Sequence, residues 1–100
     1  MLSEDLSVKD ILAELAVYLN DIKIFEGKCD CKTLAHCRHY MKKNLAMSDE
    51  GIENICSYIE GFGGYCDCEV LMNVVPTVFP TDEDFDSYVD RAISRMNSPE

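Results

Sequence analysis

The sequence predicts a mainly α fold: a small single-domain bundle of four to five helices, with one short strand pair as the remaining option. Three observations carry this reading. Apolar residues recur at three- and four-residue intervals in four segments, the period of a helix with one buried face. Hydroxyl and carboxyl side chains of the helix-capping kind precede these segments, and glycine, asparagine or proline follows most of them. The chain has 100 residues, enough for one domain spanning 1–100.

The first segment runs from about Val8 to Phe25, with Ile11, Leu12, Leu15, Ala16, Leu19 and Ile22 at helical spacing. Ser7 with Asp10 three residues on resembles a capping box, although Asp is shorter than the usual Glu or Gln. Gly27 is the expected stop. A second helix is expected from Lys32 or Thr33 to Asn44, with Leu34, Cys37, Met41 and Leu45 on one stripe and Asp30 or Thr33 as its cap. Ser48 opens a third, whose apolar face is Ile52, Ile55, Cys56 and Ile59; Gly61-Phe62-Gly63-Gly64 ends it.

Residues 65–75 read either as a short extended piece or as a short helix capped by Asp67, because a brief apolar run does not separate the two. Pro76 and Pro80 frame an expected connector, Thr77-Val78-Phe79. The last helix opens at Thr81 and buries Phe85, Tyr88, Val89, Ala92, Ile93 and Met96. Its acids at the N-terminal end and Arg91 and Arg95 near the C-terminal end both suit the helix dipole.

The net charge of −10 is unevenly spread: −3 over residues 1–25, +3 over 26–44 and −10 over 45–100. That balance disfavours direct nucleic-acid binding, which needs a cationic face. The start of the chain is acidic, and nothing in it resembles a secretory leader or a membrane span. The expected compartment is therefore the reducing cytoplasm, where clustered cysteines read as metal ligands or core thiols before disulfides.

Two Cys-Asp-Cys triplets stand out among the six cysteines: Cys29-Asp30-Cys31 and Cys66-Asp67-Cys68. The second sits in the block Gly63-Gly64-Tyr65-Cys66-Asp67-Cys68-Glu69-Val70-Leu71, followed by Met72-Asn73-Val74; the first is followed by Thr33-Leu34. On these residues the stretch 29–75 resembles a bacterial family, domain of unknown function 2695. Its members show Gly-Gly-Phe/Tyr-Cys-Asp-Cys-Glu-Val-Leu and a Cys-Asp close before Thr-Leu. Here two residues stand between Cys-Asp and Thr-Leu where the family usually has one, so Cys29 and Cys31 both remain claimants to the family's cysteine. The resemblance implies no assigned activity.

Four sulfurs converging on one point would suit zinc, which takes four ligands in a tetrahedron. The candidate metal ligands are Cys29, Cys31, Cys66 and Cys68. His36 is a further candidate should one triplet sulfur point away. The spacing is tighter than the common Cys-x2-4-Cys knuckle, and buried thiols at a helix junction are an equally weighted reading. Cys37 and Cys56 fall on apolar stripes and read as core. His36 and His39 share a helix side with Lys32, Lys42 and Lys43, a solvated basic face.

No catalytic residues are assigned: the chain has no phosphate loop, nucleophile elbow or His-Glu-x-x-His motif. The expectation is a non-enzymatic acidic protein with a structural zinc site, acting by binding an unidentified protein partner, with homo-oligomerisation open. Two other classes stay in view. One is an acidic inhibitor of the phage type, mimicking nucleic acid on a basic protein. The other is a thiol-disulfide switch at Cys66 and Cys68.

Overall fold

The computed structural model describes residues 7–27, 29 and 32–97. Among them are five helices and no strand. They are α1 (Val8–Asp21), α2 (Ala35–Lys43), α3 (Asp49–Gly61), α4 and α5 (Asp82–Met96). Helix α4 has three continuous parts, Asp67–Glu69, a π turn at Val70–Val74, and Val75–Val78. The ambiguous stretch 65–75 is thus resolved in favour of helix.

Local chemistry explains most helix ends. Ser7 and Asp10 form the full capping box of α1: the Ser7 hydroxyl accepts the Asp10 N–H and the Asp10 carboxylate accepts the Ser7 N–H. The Ser48 hydroxyl accepts the Gly51 N–H, and the Thr81 hydroxyl accepts the Asp84 N–H. Helix α1 stops at Asp21, short of the expected Phe25. Lys23 takes a left-handed φ of 58°, the chain reverses, and the Ile24 N–H bonds to the Leu19 carbonyl. The reversal puts Ile24 in the core and leaves Phe25 more than half exposed.

The expected break at Pro76 is not a break. Proline has no N–H to offer the carbonyl four residues back, and its ring crowds that carbonyl. The π turn just before it widens the helix, and the Val75 N–H reaches five residues back to the Val70 carbonyl. That insertion carries the helix past the proline to Val78.

Helix α1 is the spine. It packs along α5, and its other sides meet α2 and α4. Leu12, Leu15, Leu19, Met41, Ile59, Val70 and Val74 are fully buried between them. Cys37 and Cys56 lie in this core, as their stripes predict. Helix α5 is fully buried only at Ala92; Ile93, assigned to its buried stripe, is exposed.

A polar seam joins α1 to α5 and α2, which the sequence reading does not anticipate. Asp10 and Glu14 are buried on the inner side of α1. Arg91 and Arg95 of α5 pair with them, and the Tyr40 hydroxyl donates to Glu14 at 2.7 Å. Burial, then the bond to Glu14, pushes the Tyr40 phenol far above its ordinary value.

Candidate functional site

The Gly63-Gly64 turn delivers the second cysteine triplet. Gly63 adopts a left-handed φ of 91°, which glycine takes without a steric penalty. Gly64 is needed for space. A Cβ there would sit 2.5 Å from Ile59 Cγ2 and 2.6 Å from Val74 Cγ2, closer than carbon atoms pack. The Asn73 side-chain amide donates to the Gly63 carbonyl at 2.9 Å and ties the turn to α4. This tight joint fixes where Cys66, the residue capping α4, begins the helix.

The Sγ atoms of Cys29, Cys66 and Cys68 all lie within 4.8 Å of one another. Cys66 is buried, and the other two are partly exposed. The Cys68 backbone N–H donates to Cys29 Sγ at 3.3 Å. The sulfurs therefore come from two distant stretches, the α1–α2 connection and the start of α4. A tetrahedral zinc with sulfurs 2.3 Å from the metal separates them by about 3.8 Å, so closing on an ion needs a shift of about 1 Å or less.

Of the other sequence-nominated ligands, Cys31 lies outside the described residues. His36 does not join the cluster: its Nδ1 lies 3.0 Å from Asp67 Oδ2. Cys37 stays in the core, where burial, then the neighbouring Asp67 charge, pushes its thiol well above the usual range.

The acids beside the sulfurs are engaged elsewhere. Asp67 is buried; its Oδ2 accepts the His36 N–H and its Oδ1 the Cys37 N–H, both at 3.0 Å. It therefore caps α2, whose own N-cap residue Leu34 supplies no side-chain bond. This long-range cap is the functional residue that sequence reasoning misses, since Asp67 reads there as the cap of its own helix. The Glu69 carboxylate accepts the Tyr65 N–H at 2.9 Å. The clustered donors are all sulfur, a soft set that suits zinc or copper(I) over magnesium or calcium. Burial pushes the Cys66 thiol up; the Glu69 backbone N–H opposes this and the Cys29 sulfur adds to it. A raised thiol is the opposite of the acidified cysteine of redox enzymes.

The basic face of α2 is largely engaged in ion pairs. Arg38 holds Glu53 with both terminal guanidinium nitrogens, and Lys42 holds Asp49 at 2.9 Å. Together with His39 and Lys43 they line an open groove of about 470 Å³ against α3. No helix among the described residues is long and apolar enough to cross a membrane.

Fold and cluster together define a small protein, all-α among the described residues, with a three-cysteine cluster at a helix junction. Residues 15–73 match the family described as Protein of unknown function (DUF2695), and the chain belongs to that family. It is also similar to the uncharacterised proteins Rv2271 of Mycobacterium tuberculosis and Mb2294 of Mycobacterium bovis. Each is 32% identical over 68 residues, a stretch covering 68% of this chain and 63% of the relative. The chain thus spans somewhat less than two thirds of the length of these relatives. No solved structure matches.

Proposed function

We propose that the protein is a non-enzymatic binding domain in which Cys29, Cys66 and Cys68 hold one zinc ion as a structural clasp. The observation that carries this reading is the meeting of three sulfurs within 4.8 Å from segments 37 residues apart in the chain. Cys31 is the fourth ligand nominated by the sequence. With Cys31 as the fourth thiolate, the zinc would have no open position for a reacting water, which makes the clasp structural in this reading. In a chain of this size, metal-binding free energy adds directly to folding free energy. A thiolate zinc site persists best in a reducing compartment, which suits the cytoplasm.

The partner-binding part of the proposal draws on exposed apolar side chains of α3, of α4 and of the turn between them. Tyr58 and Phe62 meet as tilted rings, 5.1 Å between centroids, at the end of α3, and Tyr65 and Met72 are each more than half exposed. Such residues anchor protein interfaces.

Elemental analysis of protein purified without chelators tests the clasp. The expected result is one zinc per chain, lost in Cys66→Ser and in Cys29→Ser. Trace metal only in the native protein, with no zinc taken up on reconstitution, removes the reading.

A further inference from the structure

We infer that metal occupancy of the three-cysteine cluster controls the N-terminal end of α2, with Asp67 as the positioning residue that links them. The inference rests on the zinc-clasp reading and extends it from a static staple to a coupled element.

Asp67 stands between two of the three clustered cysteines, Cys66 and Cys68. A metal held by both sulfurs fixes the backbone on either side of it. Its carboxylate then accepts the His36 and Cys37 amides, each at 3.0 Å. The third cysteine, Cys29, leads by a short run of chain into the same helix start. These links form a closed ring: Cys29, the chain to His36 and Cys37, the Asp67 carboxylate, the Asp67 backbone, and the sulfurs back to Cys29.

At the sulfur end the ring also closes through the hydrogen bond from the Cys68 N–H to Cys29 Sγ at 3.3 Å. Such bonds to sulfur are long and weak. Metal–sulfur bonds replace them with a rigid joint. The Asp67 carboxylate is then held where α2 needs an acceptor, because the first amides of a helix have no partner within it and Leu34 provides none. Whatever strengthens the joint strengthens the cap. By linkage, whatever strengthens the cap raises the affinity for the metal by the same factor.

Amide hydrogen exchange of the full chain by NMR, with and without one equivalent of zinc, tests this. Zinc is expected to slow exchange at the His36 and Cys37 amides by about tenfold, a coupling within the usual allosteric range. The Gly51 amide serves as control: it is capped by Ser48 of its own helix and should change far less. In Asp67→Asn the zinc stoichiometry stays at one, zinc affinity falls by about five- to tenfold, and the zinc-dependent protection at His36 and Cys37 disappears. If that variant does not fold, the native comparison decides alone. Zinc bound with unchanged His36 and Cys37 exchange overturns the coupling and leaves the clasp standing. No zinc bound overturns the clasp and the coupling with it.

Discussion

The Asp67 carboxylate accepts the Cys37 N–H at 3.0 Å across 30 residues of chain. The same carboxylate takes the His36 N–H and the His36 ring nitrogen. A fully buried aspartate is costly unless its oxygens are bonded; here they satisfy the orphan donors of a helix that lacks a local cap. One side chain thus joins the cysteine cluster to the core of the bundle.

Asp67→Ala should therefore be among the most damaging single changes. It removes a cap and strands two amides in a buried place, a loss of about 3 kcal/mol. Urea denaturation should show the midpoint falling, and Tm should drop by well over about 10 °C in a domain of this size. A loss no larger than that of an ordinary surface substitution would show that water replaces the carboxylate.

The same residue shows where sequence reasoning stops. Caps acting within three residues were legible: Ser7, Ser48 and Thr81 all bond as their spacing predicts. So were the apolar stripes of α1, α2 and α3, because period follows from local geometry. Asp67 capping α2 was not, since it depends on how two distant segments meet. Asp10 reads only as part of the Ser7 capping box, and its pairing, with Glu14, to the arginines of α5 depends on how distant helices meet. Pro76 read as a break because a π turn has no sequence signature that separates it from a loop. The meeting of Cys29 with Cys66 and Cys68 was legible through the repeated triplet, while the inward or outward role of Asp67 and Glu69 was not.

Gly61 and Gly64, at the two ends of the Gly61-Phe62-Gly63-Gly64 turn, should respond in opposite ways to alanine. At Gly64 the added Cβ meets Ile59 and Val74 side chains at 2.5 and 2.6 Å, and both belong to the packed core. Gly64→Ala should cost about 1–3 kcal/mol, the range for overpacking. At Gly61, the last residue of α3, nothing lies within 4 Å of the new Cβ. Gly61→Ala should stabilise by about 0.5–1 kcal/mol through helix propensity and a less flexible unfolded chain. Thermal melts of the pair check this directly. A neutral Gly64→Ala would contradict the packing of the turn against α4.

The seam at Glu14 makes a prediction about alkaline pH. The Tyr40 phenol is raised in the folded protein by burial and by its bond to Glu14. In the unfolded chain it titrates near the ordinary value of about 10. A raised folded value means the stabilising contribution is intact below pH about 10 and is lost as pH rises above it, because the unfolded chain alone releases the proton. Tyrosinate absorbance should show one tyrosine that ionises only with unfolding. Tyr40→Phe should abolish that late step and flatten the alkaline fall in stability. Glu14 itself is held by Arg95 and Tyr40, so Arg95→Met, which leaves a buried carboxylate short of its cation, should cost about 3 kcal/mol.

The cysteines should separate by reactivity. Cys37 and Cys56 are 0% and 1% exposed, and burial raises both thiols. Only the thiolate attacks an alkylating agent, so at pH 8 both lack access and ionisation together. In native protein, timed iodoacetamide labelling mapped by mass spectrometry should leave them unmodified long after the partly exposed Cys68 has reacted. Zinc should then slow Cys68, and with it Cys29 and Cys66, because a metal-bound sulfur is withheld from the reagent. The two groups of cysteines would thus answer to different agents, the core pair to denaturant and the clustered trio to metal. Early labelling of Cys37 in folded protein would mean that the junction of α2 with α4 opens readily, which the buried carboxylate of Asp67 and its two amide bonds argue against.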